Sequence, residues 1–323
     1  MCIRDRYGAC LMRPAEADFT PGKYYHRHLD RSLWDWPVSY EALAPFYTEA
    51  EALYRVAGVF DQTVPHLMPR PLSYPAKPLP LHPTNEALRS YLVQAGLNPF
   101  VLPMGIDPQA CDRCASCPGY ICPTGARASS LDRCIAPAMD KHGATLLTRT
   151  EVVGVQTRGR TLTGLVLENG AGRREVSADL FILAAGAIGS PAFLMQHALS
   201  GGNDLIGRNY MFHLGVLFTA LCARPTGAGR TFMKQLGITD LYFSQGRTPH
   251  KLGYIQQLPI PGVLTMQAQL PLPLPPRLLA PAFTRNIPFA GAIEDLPRPT
   301  NRVTFSRGEI SIHHRYHPYD IHR

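Results

Sequence analysis

Four cysteines lie within twelve consecutive residues, in the stretch CDRCASCPGYICP. They are Cys111, Cys114, Cys117 and Cys122, and Pro123 follows the last of them. Thiolates spaced this closely are suited to a soft metal ion. The pattern is that of bacterial ferredoxins with one extra residue in the last gap. It leaves three interpretations open: an iron–sulfur cluster, a zinc or structural metal site, or thiols and disulfides without metal.

A second stretch with chemical potential is FILAAGAIGSP, in which Ala184–Ala187 have almost no side chains. The preceding DLFILAAG is apolar on both faces, which predicts a buried strand of a parallel sheet. SPAFLMQHAL predicts a helix capped by Ser190. A ligand could therefore contact bare backbone beside the free N–H groups of a helix N-terminus. Close packing of helix on strand would favour the same small residues, so the pattern alone leaves both interpretations open.

Composition narrows the class of protein. The chain has 323 residues, of which 45% are apolar and 17% charged, as in globular proteins. No apolar run is long enough to predict a membrane span. The net charge of +8 is scattered, so we expect no nucleic-acid partner. The first residues do not form a signal peptide, which leaves the compartment unknown, with the cytoplasm as the default.

Periodicity and caps predict the elements that would carry these residues. We expect one helix from Ser39 towards Gly58, kinked or started by Pro45, and a second from a cap at Thr84 to Gly96. Strands should follow over 144–186. After about residue 205 the strands suggest an antiparallel sheet, with segments such as GVLTMQAQL and a final hairpin whose turn is Arg307–Gly308.

Several stretches, in order, resemble the GMC (glucose–methanol–choline) oxidoreductases, a family of FAD-dependent alcohol dehydrogenases and oxidases. The matching stretches are YGACLMRPAEADF, WPVSYEALAPFYTEAEALYRVAG, GARASSLDRCIAPAMDKHGATLLTRTEVVGV, FILAAGAIGSPAFLM, LIGRNYMFH and NRVTFSRGEISIHHRYHP. The resemblance spans nearly the whole chain, and the ordered set is specific.

The resemblance implies a mixed fold, α/β with α+β. A partial doubly wound FAD-binding domain would cover residues 1–204, including the cysteine loop 111–122, and a partial antiparallel substrate domain would cover 205–323. The family's G-x-G-x-x-G unit would precede Tyr7, and its catalytic His segment would follow Arg323. We therefore expect this chain to be an internal piece that lacks its catalytic residues and does not turn over an alcohol alone.

The resemblance also implies which residues approach the cofactor. The implied FAD contacts are Tyr7, Gly8, Val152, Ala185, Gly186 and Pro191. His213 matches a family histidine, for which we expect a buried, hydrogen-bonded role. The four clustered cysteines remain the candidate metal ligands.

The implied reaction is hydride transfer from a CH–OH donor to FAD, with an alcohol or sugar as substrate. A dehydrogenase is favoured over an oxidase, because a cysteine cluster could pass electrons to an acceptor protein. The alternative is an iron–sulfur or other cysteine–metal electron-transfer module without flavin chemistry.

Overall fold

The computed structural model describes residues 9–66, 73–115, 117, 120–227, 230–244, 250–260, 275, 277 and 284–322. These residues form two compact units. The first consists of the described parts of Met1–His142 and His213–Glu294, and the second of Gly143–Phe212 and Asp295–His322. The predicted division at 204/205 concerns cofactor and substrate roles and stays a prediction, because the compact units are each built from two separate segments.

The described residues form helices mainly in the N-terminal part of the chain and strands mainly after residue 150. The helices are α1 (Gly22–Tyr25), α2 (Tyr40–Leu53), α3 (Pro83–Gln94), α4 (Ala136–His142), α5 (Gly186–Gln196) and α6 (Pro318–His322). The strands are β1 (Phe100–Val101), β2 (Glu151–Arg158), β3 (Thr161–Asn169), β4 (Gly172–Ser177), β5 (His213–Leu221), β6 (Leu236–Ile238), β7 (Tyr254–Gln257), β8 (Asn286–Glu294), β9 (Arg302–Ser306) and β10 (Glu309–His313). No described helix has the length and apolarity needed to cross a membrane.

Every strand pair in the described sheets is antiparallel. The first unit contains a five-stranded sheet in the order β1-β6-β7-β8-β5. The second contains the β2-β3-β4 meander and the β9–β10 hairpin. The hairpin turn is confirmed at Arg307 and Gly308, whose φ angles of +53° and +82° suit the twist of a two-residue turn.

Local signals placed the helices well but not all of their caps. Ser39 caps α2 as predicted, with its hydroxyl accepting a hydrogen bond from the Ala42 N–H at 3.3 Å. The cap predicted at Thr84 is wrong. Pro83 occupies the first turn of α3 and His82 is the cap, because a proline fits where no N–H partner is needed. The Thr84 hydroxyl instead donates to the Thr226 carbonyl at 2.9 Å.

The predicted buried strand DLFILAAG is not a strand in this structure. Residues 178–185 form no helix or strand, and the side chains of Leu180 and Ile182 are 75% and 82% exposed. A strand needs a hydrogen-bonded neighbour, and the described residues supply none beside this segment. The predicted strand at 144–148 is likewise irregular. The predicted strand GVLTMQAQL, residues 262–270, lies outside the described residues.

The first unit is held by an apolar core and by buried polar networks. The core cluster consists of Ala9, Val64, Phe100, Leu102, Met104, Ile106, Cys117 and Phe232. Beside it, the fully buried Asn85 of α3 joins α3 to the central sheet through Gln235 and Gln257. Unpaired amides are costly inside a protein, so this network specifies how α3 docks on the sheet.

Candidate functional site

The small-residue stretch forms the N-terminal end of α5. Gly186 is the first residue of the helix and has a φ of +78°, a left-handed conformation that glycine adopts without strain. Ala185 precedes it and donates its N–H to the Ser190 hydroxyl at 3.2 Å. The cap predicted at Ser190 is therefore wrong. The helix begins four residues earlier, and Ser190 lies inside it, where it folds back onto Ala185.

This end of α5 offers a bare, exposed backbone. Ala184–Ala187 are all exposed, and a side chain built on Gly186 would meet no atom within 4 Å. The first N–H groups of an α-helix lack intrahelical acceptors and favour anionic oxygens. Pro191 lies in the second turn and has no N–H of its own. The predicted contact residues Ala185, Gly186 and Pro191 thus lie at the same end of α5, and their role as FAD contacts stays a prediction.

Val152 lies on a different element of the same unit. It is half-buried on β2 and pairs with Leu167 of β3, just before a register shift at Val152/Gly154. A register shift of this kind bends the strand, so the backbone beside Val152 departs from a regular ladder of hydrogen bonds. Tyr7 and Gly8, the other predicted cofactor contacts, lie outside the described residues.

The cysteine loop belongs to the first unit and is docked by its backbone. The carbonyl of Arg113 accepts hydrogen bonds from the Thr231 hydroxyl at 2.8 Å and the Phe232 N–H at 3.0 Å. The Arg127 guanidinium donates to the carbonyls of Cys117 and Tyr120. These bonds hold both sides of the loop against the core.

The thiols of Cys111, Cys117 and Cys122 differ in how easily they ionise. Burial raises the pKa of Cys117 to about 12, with neighbouring Cys114 raising it further. Burial also raises the pKa of Cys111. Burial opposes ionisation of Cys122 too, but hydrogen bonds from Thr124 and from nearby backbone amides outweigh it and lower its pKa. The loop therefore holds one thiol suited to act as a thiolate beside one that is part of the core.

The metal assignment gains no geometric support. All four cysteines are free thiols. Across the described ranges, no group of three or more His, Cys, Asp or Glu side chains is arranged to hold a metal ion. The assignment of Cys111, Cys114, Cys117 and Cys122 as ligands stays a prediction.

His213 differs from the sequence-based expectation, and His314 makes a contact that the sequence did not predict. His213 begins β5 and is exposed, so the expected buried role is wrong. His314 bonds the fully buried carboxylate of Asp295 at 2.6 Å, and the same carboxylate accepts the Phe212 N–H at 2.8 Å. The sequence carried no signal for this pairing, because it depends on tertiary contact across nineteen residues.

Similarity to known proteins connects these features. A family profile described as GMC oxidoreductase matches residues 24–215, more than half of the chain. The chain is 24% identical over 237 residues to the fructose dehydrogenase large subunit of Gluconobacter japonicus, covering 68% of this chain and 43% of that protein. It is 28% identical over 196 residues to 2-methyl-1,2-propanediol dehydrogenase of Mycolicibacterium austroafricanum, covering 56% and 35%. The chain thus spans less than half the length of these relatives.

A solved structure shows a similar fold. Pyridoxine 4-oxidase from Mesorbium loti superposes with a TM-score of 0.56 at 18% identity, covering 94% of this chain and 58% of that one. The likeness confirms the predicted class, a mixed α/β fold with antiparallel sheets. The profile match covers both the cysteine loop and the start of α5. The chain therefore belongs to the GMC oxidoreductase family, whose members bind FAD.

Proposed function

We propose that this chain is part of an FAD-dependent oxidoreductase that acts on a CH–OH donor, and that Val152, Ala185, Gly186 and Pro191 belong to its FAD site together with Tyr7 and Gly8. The observation that carries the proposal is the exposed, side-chain-free start of α5. FAD supplies the hydride acceptor. The chain's own residues supply a surface to which a large cofactor can come close.

The start of α5 would contribute in two ways. Its unpartnered N–H groups and positive dipole end favour the negative charge of a phosphate. The small side chains at Ala185 and Gly186 leave the backbone accessible, where a larger residue would fill the space. No proton acceptor is assigned among the described residues, so the property that tests this proposal is FAD binding rather than alcohol oxidation.

The test places a charge at the proposed site and compares it with the same charge at the far end of the same helix. Ala187→Glu puts a carboxylate beside the helix start, whereas Gln196→Glu puts one on an exposed residue at its C-terminal end. FAD binding is measured by quenching of flavin fluorescence. We expect A187E to weaken binding at least about tenfold, or about 1.4 kcal/mol, and Q196E to change it less than about twofold. Equal effects of the two substitutions on FAD affinity would contradict the assignment of this surface to the FAD site.

We further propose that electrons leave the reduced flavin to an acceptor other than oxygen, so that the enzyme is a dehydrogenase. The support is the cysteine loop, in which, besides burial, the neighbouring thiols of Cys114 and Cys122 raise the pKa of Cys111 and of Cys117. An iron–sulfur centre held by these thiols is the corresponding electron path. Anaerobic purification with iron and sulfide analysis tests it. Less than one iron per chain would reject the cluster and leave the flavin assignment standing.

The remaining functional assignments follow from this proposal. The substrate is a small alcohol or sugar, and the acceptor is a protein or a small redox carrier. Residues 1–204 would carry the cofactor and 205–323 would cover the substrate. Oxygen consumption compared with dye reduction, by a protein that includes the predicted catalytic segment, distinguishes oxidase from dehydrogenase.

A further inference from the structure

The first unit contains a small cavity beside its apolar core. The volume of the cavity is about 20 Å³. Eight of its ten lining residues are apolar, and these are Ala57, Pro78, Leu79, Val101, Leu102, Met104, Ile106 and Phe232. Four of the eight, from Leu102 onwards in that order, also belong to the core cluster. Protein interiors leave few voids larger than a water molecule, so this cavity departs from ordinary core packing.

Backbone hydrogen bonds hold the walls of the cavity in place. Ala57 and Met104 exchange two of them, with each N–H donating to the other carbonyl at 2.8 Å. The Leu102 N–H donates to the Gln235 carbonyl at 2.8 Å. Because these residues are fixed through their backbones, the walls cannot move inwards to fill the space. Ala57 contributes only a methyl group to the lining, so a larger side chain at this position would occupy part of the cavity.

The two polar residues of the lining have partners inside the protein. The Gln235 side-chain oxygen accepts the His82 N–H and the Asn85 amide, both at 2.8 Å, and its nitrogen donates to a backbone carbonyl at 2.9 Å. Lys234 and Lys251 are two lysines that are almost completely buried, and Lys234 also has a partner within the chain. A buried water needs two to four polar partners. The lining therefore favours an apolar occupant over water.

One side of the cavity lies close to the surface. Pro78, Leu79 and Val101 are only half-buried, whereas Leu102 and Ile106 on the inner side are 0% and 2% exposed. A small molecule can therefore enter past the half-buried residues without opening the core of the unit.

We propose that this cavity is a binding site for a small apolar molecule of the size of dioxygen. One water needs about 10–15 Å³ by the same kind of measure. The cavity, at about 20 Å³, therefore has room for one molecule slightly larger than water. Apolar cavities in proteins stay free of water and bind apolar molecules such as xenon. Binding is non-covalent, and the inference does not rest on the proposed function. Dioxygen is the molecule of this class that an aerobic cell supplies.

The first experiment uses xenon as the probe, because xenon binds through dispersion contacts alone. Methyl groups of the full chain are isotope-labelled, and their NMR shifts are followed as the xenon pressure rises. We expect saturable shifts at the methyl groups of Leu102, Met104 and Ile106. Val303 is the matched control, because it is 1% exposed and belongs to the second unit. Its shifts should be at least about fivefold smaller, since dispersion contacts are short-ranged.

The second experiment tests dioxygen itself and excludes water. Dissolved dioxygen is paramagnetic, so it speeds the relaxation of methyl groups that it contacts. The methyl groups of Leu102 should relax at least about threefold more than those of Val303, although both side chains are buried, because only the former line an apolar cavity. Magnetisation transfer from water to the Leu102 methyl groups should be absent. Transfer from water would show a hydrated cavity and would overturn the proposal.

A pair of matched variants locates the site. Ala57→Val adds two carbons to the lining and should weaken xenon binding at least about fivefold. Ala76→Val makes the same change in the residue that forms a β-bridge with Ala57 but does not line the cavity, and it should alter binding less than about twofold. The proposal is also overturned if the lining methyl groups of the unaltered chain shift no more than Val303, or if the two variants bind xenon equally well.

Discussion

Replacing Asn85 by alanine should destabilise the first unit strongly, because Asn85 has all its partners inside the protein. Its side-chain nitrogen donates to the Met233 carbonyl at 2.9 Å and to the Gln235 side-chain oxygen at 2.8 Å. Its side-chain oxygen accepts from the Gln257 amide at 2.8 Å. Gln235 keeps a second donor, the His82 N–H. The Met233 carbonyl and the Gln257 amide would lose the Asn85 partner.

The expected loss follows from those two buried groups. An unsatisfied buried donor or acceptor costs about 1–3 kcal/mol, so Asn85→Ala should lower the free energy of unfolding by about 2–6 kcal/mol. Both tryptophans, Trp34 and Trp36, lie in the first unit, so urea unfolding followed by tryptophan fluorescence reports on it. Ser90→Ala, on an exposed residue of the same helix, is the matched control and should change stability by only a few tenths of a kcal/mol.

A double-mutant cycle tests whether the buried amides act as one network, rather than how large the loss of stability is. Gln257→Ala removes the group that Asn85→Ala leaves unpaired, so the double variant should lose at least about 1 kcal/mol less than the sum of the singles. Strictly additive losses would show that the two amides do not act as one network. A loss below about 1 kcal/mol for Asn85→Ala with an unchanged urea dependence would refute the reasoning outright.

Two further predictions concern the other elements. Iodoacetamide at pH 7.5 should alkylate Cys122 at least about a hundredfold faster than Cys117, since hydrogen bonds lower the pKa of Cys122 while burial raises that of Cys117 to about 12. Fragmentation mass spectrometry locates the label. Similar alkylation rates at the two thiols would contradict the difference in their pKa values. Gly207→Ala should destabilise the second unit by about 2–5 kcal/mol, because its φ is +80° and a side chain there would collide with the Val303 carbonyl. Gly186→Ala should lower the stability of the second unit by only about 1–2 kcal/mol, because Gly186 also has a positive φ, +78°, but has open space around it. Hydrogen exchange of the Val303 amide, which donates to the Gly207 carbonyl, measures the stability of the second unit in both variants.

Local signals in the sequence predicted elements whose determinants lie within a few residues. The Ser39 cap, the Arg307–Gly308 turn and the meander strands from 151 to 177 all depend on short-range propensities, and each was found. The cap at Thr84 was misplaced by two residues because Pro83 and His82 compete for the same helix start. Caps are decided by the details of one turn, which composition does not resolve.

Contacts between distant residues could not be predicted from the sequence. Nothing local to Lys234 indicates that it is buried, since the backbone on both sides of it is held by Asn85 and Gln257 from other elements. The reverse error occurred at residues 180–185, where an apolar run predicted a buried strand. An apolar run indicates that a segment tends to be buried, but a strand also needs a neighbouring strand with which to form hydrogen bonds. The described residues include no such strand beside residues 180–185.

The two buried lysines show why tertiary context decides chemistry. Both are lysines on loops next to short strands or bridges, and both lose nearly all exposure. Lys251 forms ion pairs with the carboxylates of Asp18 and Glu294. Lys234 lines a mainly apolar cavity, and its burial lowers its pKa. The same type of side chain therefore meets two carboxylates at one position and borders an apolar cavity at the other, and the difference is set by which elements the fold brings against it.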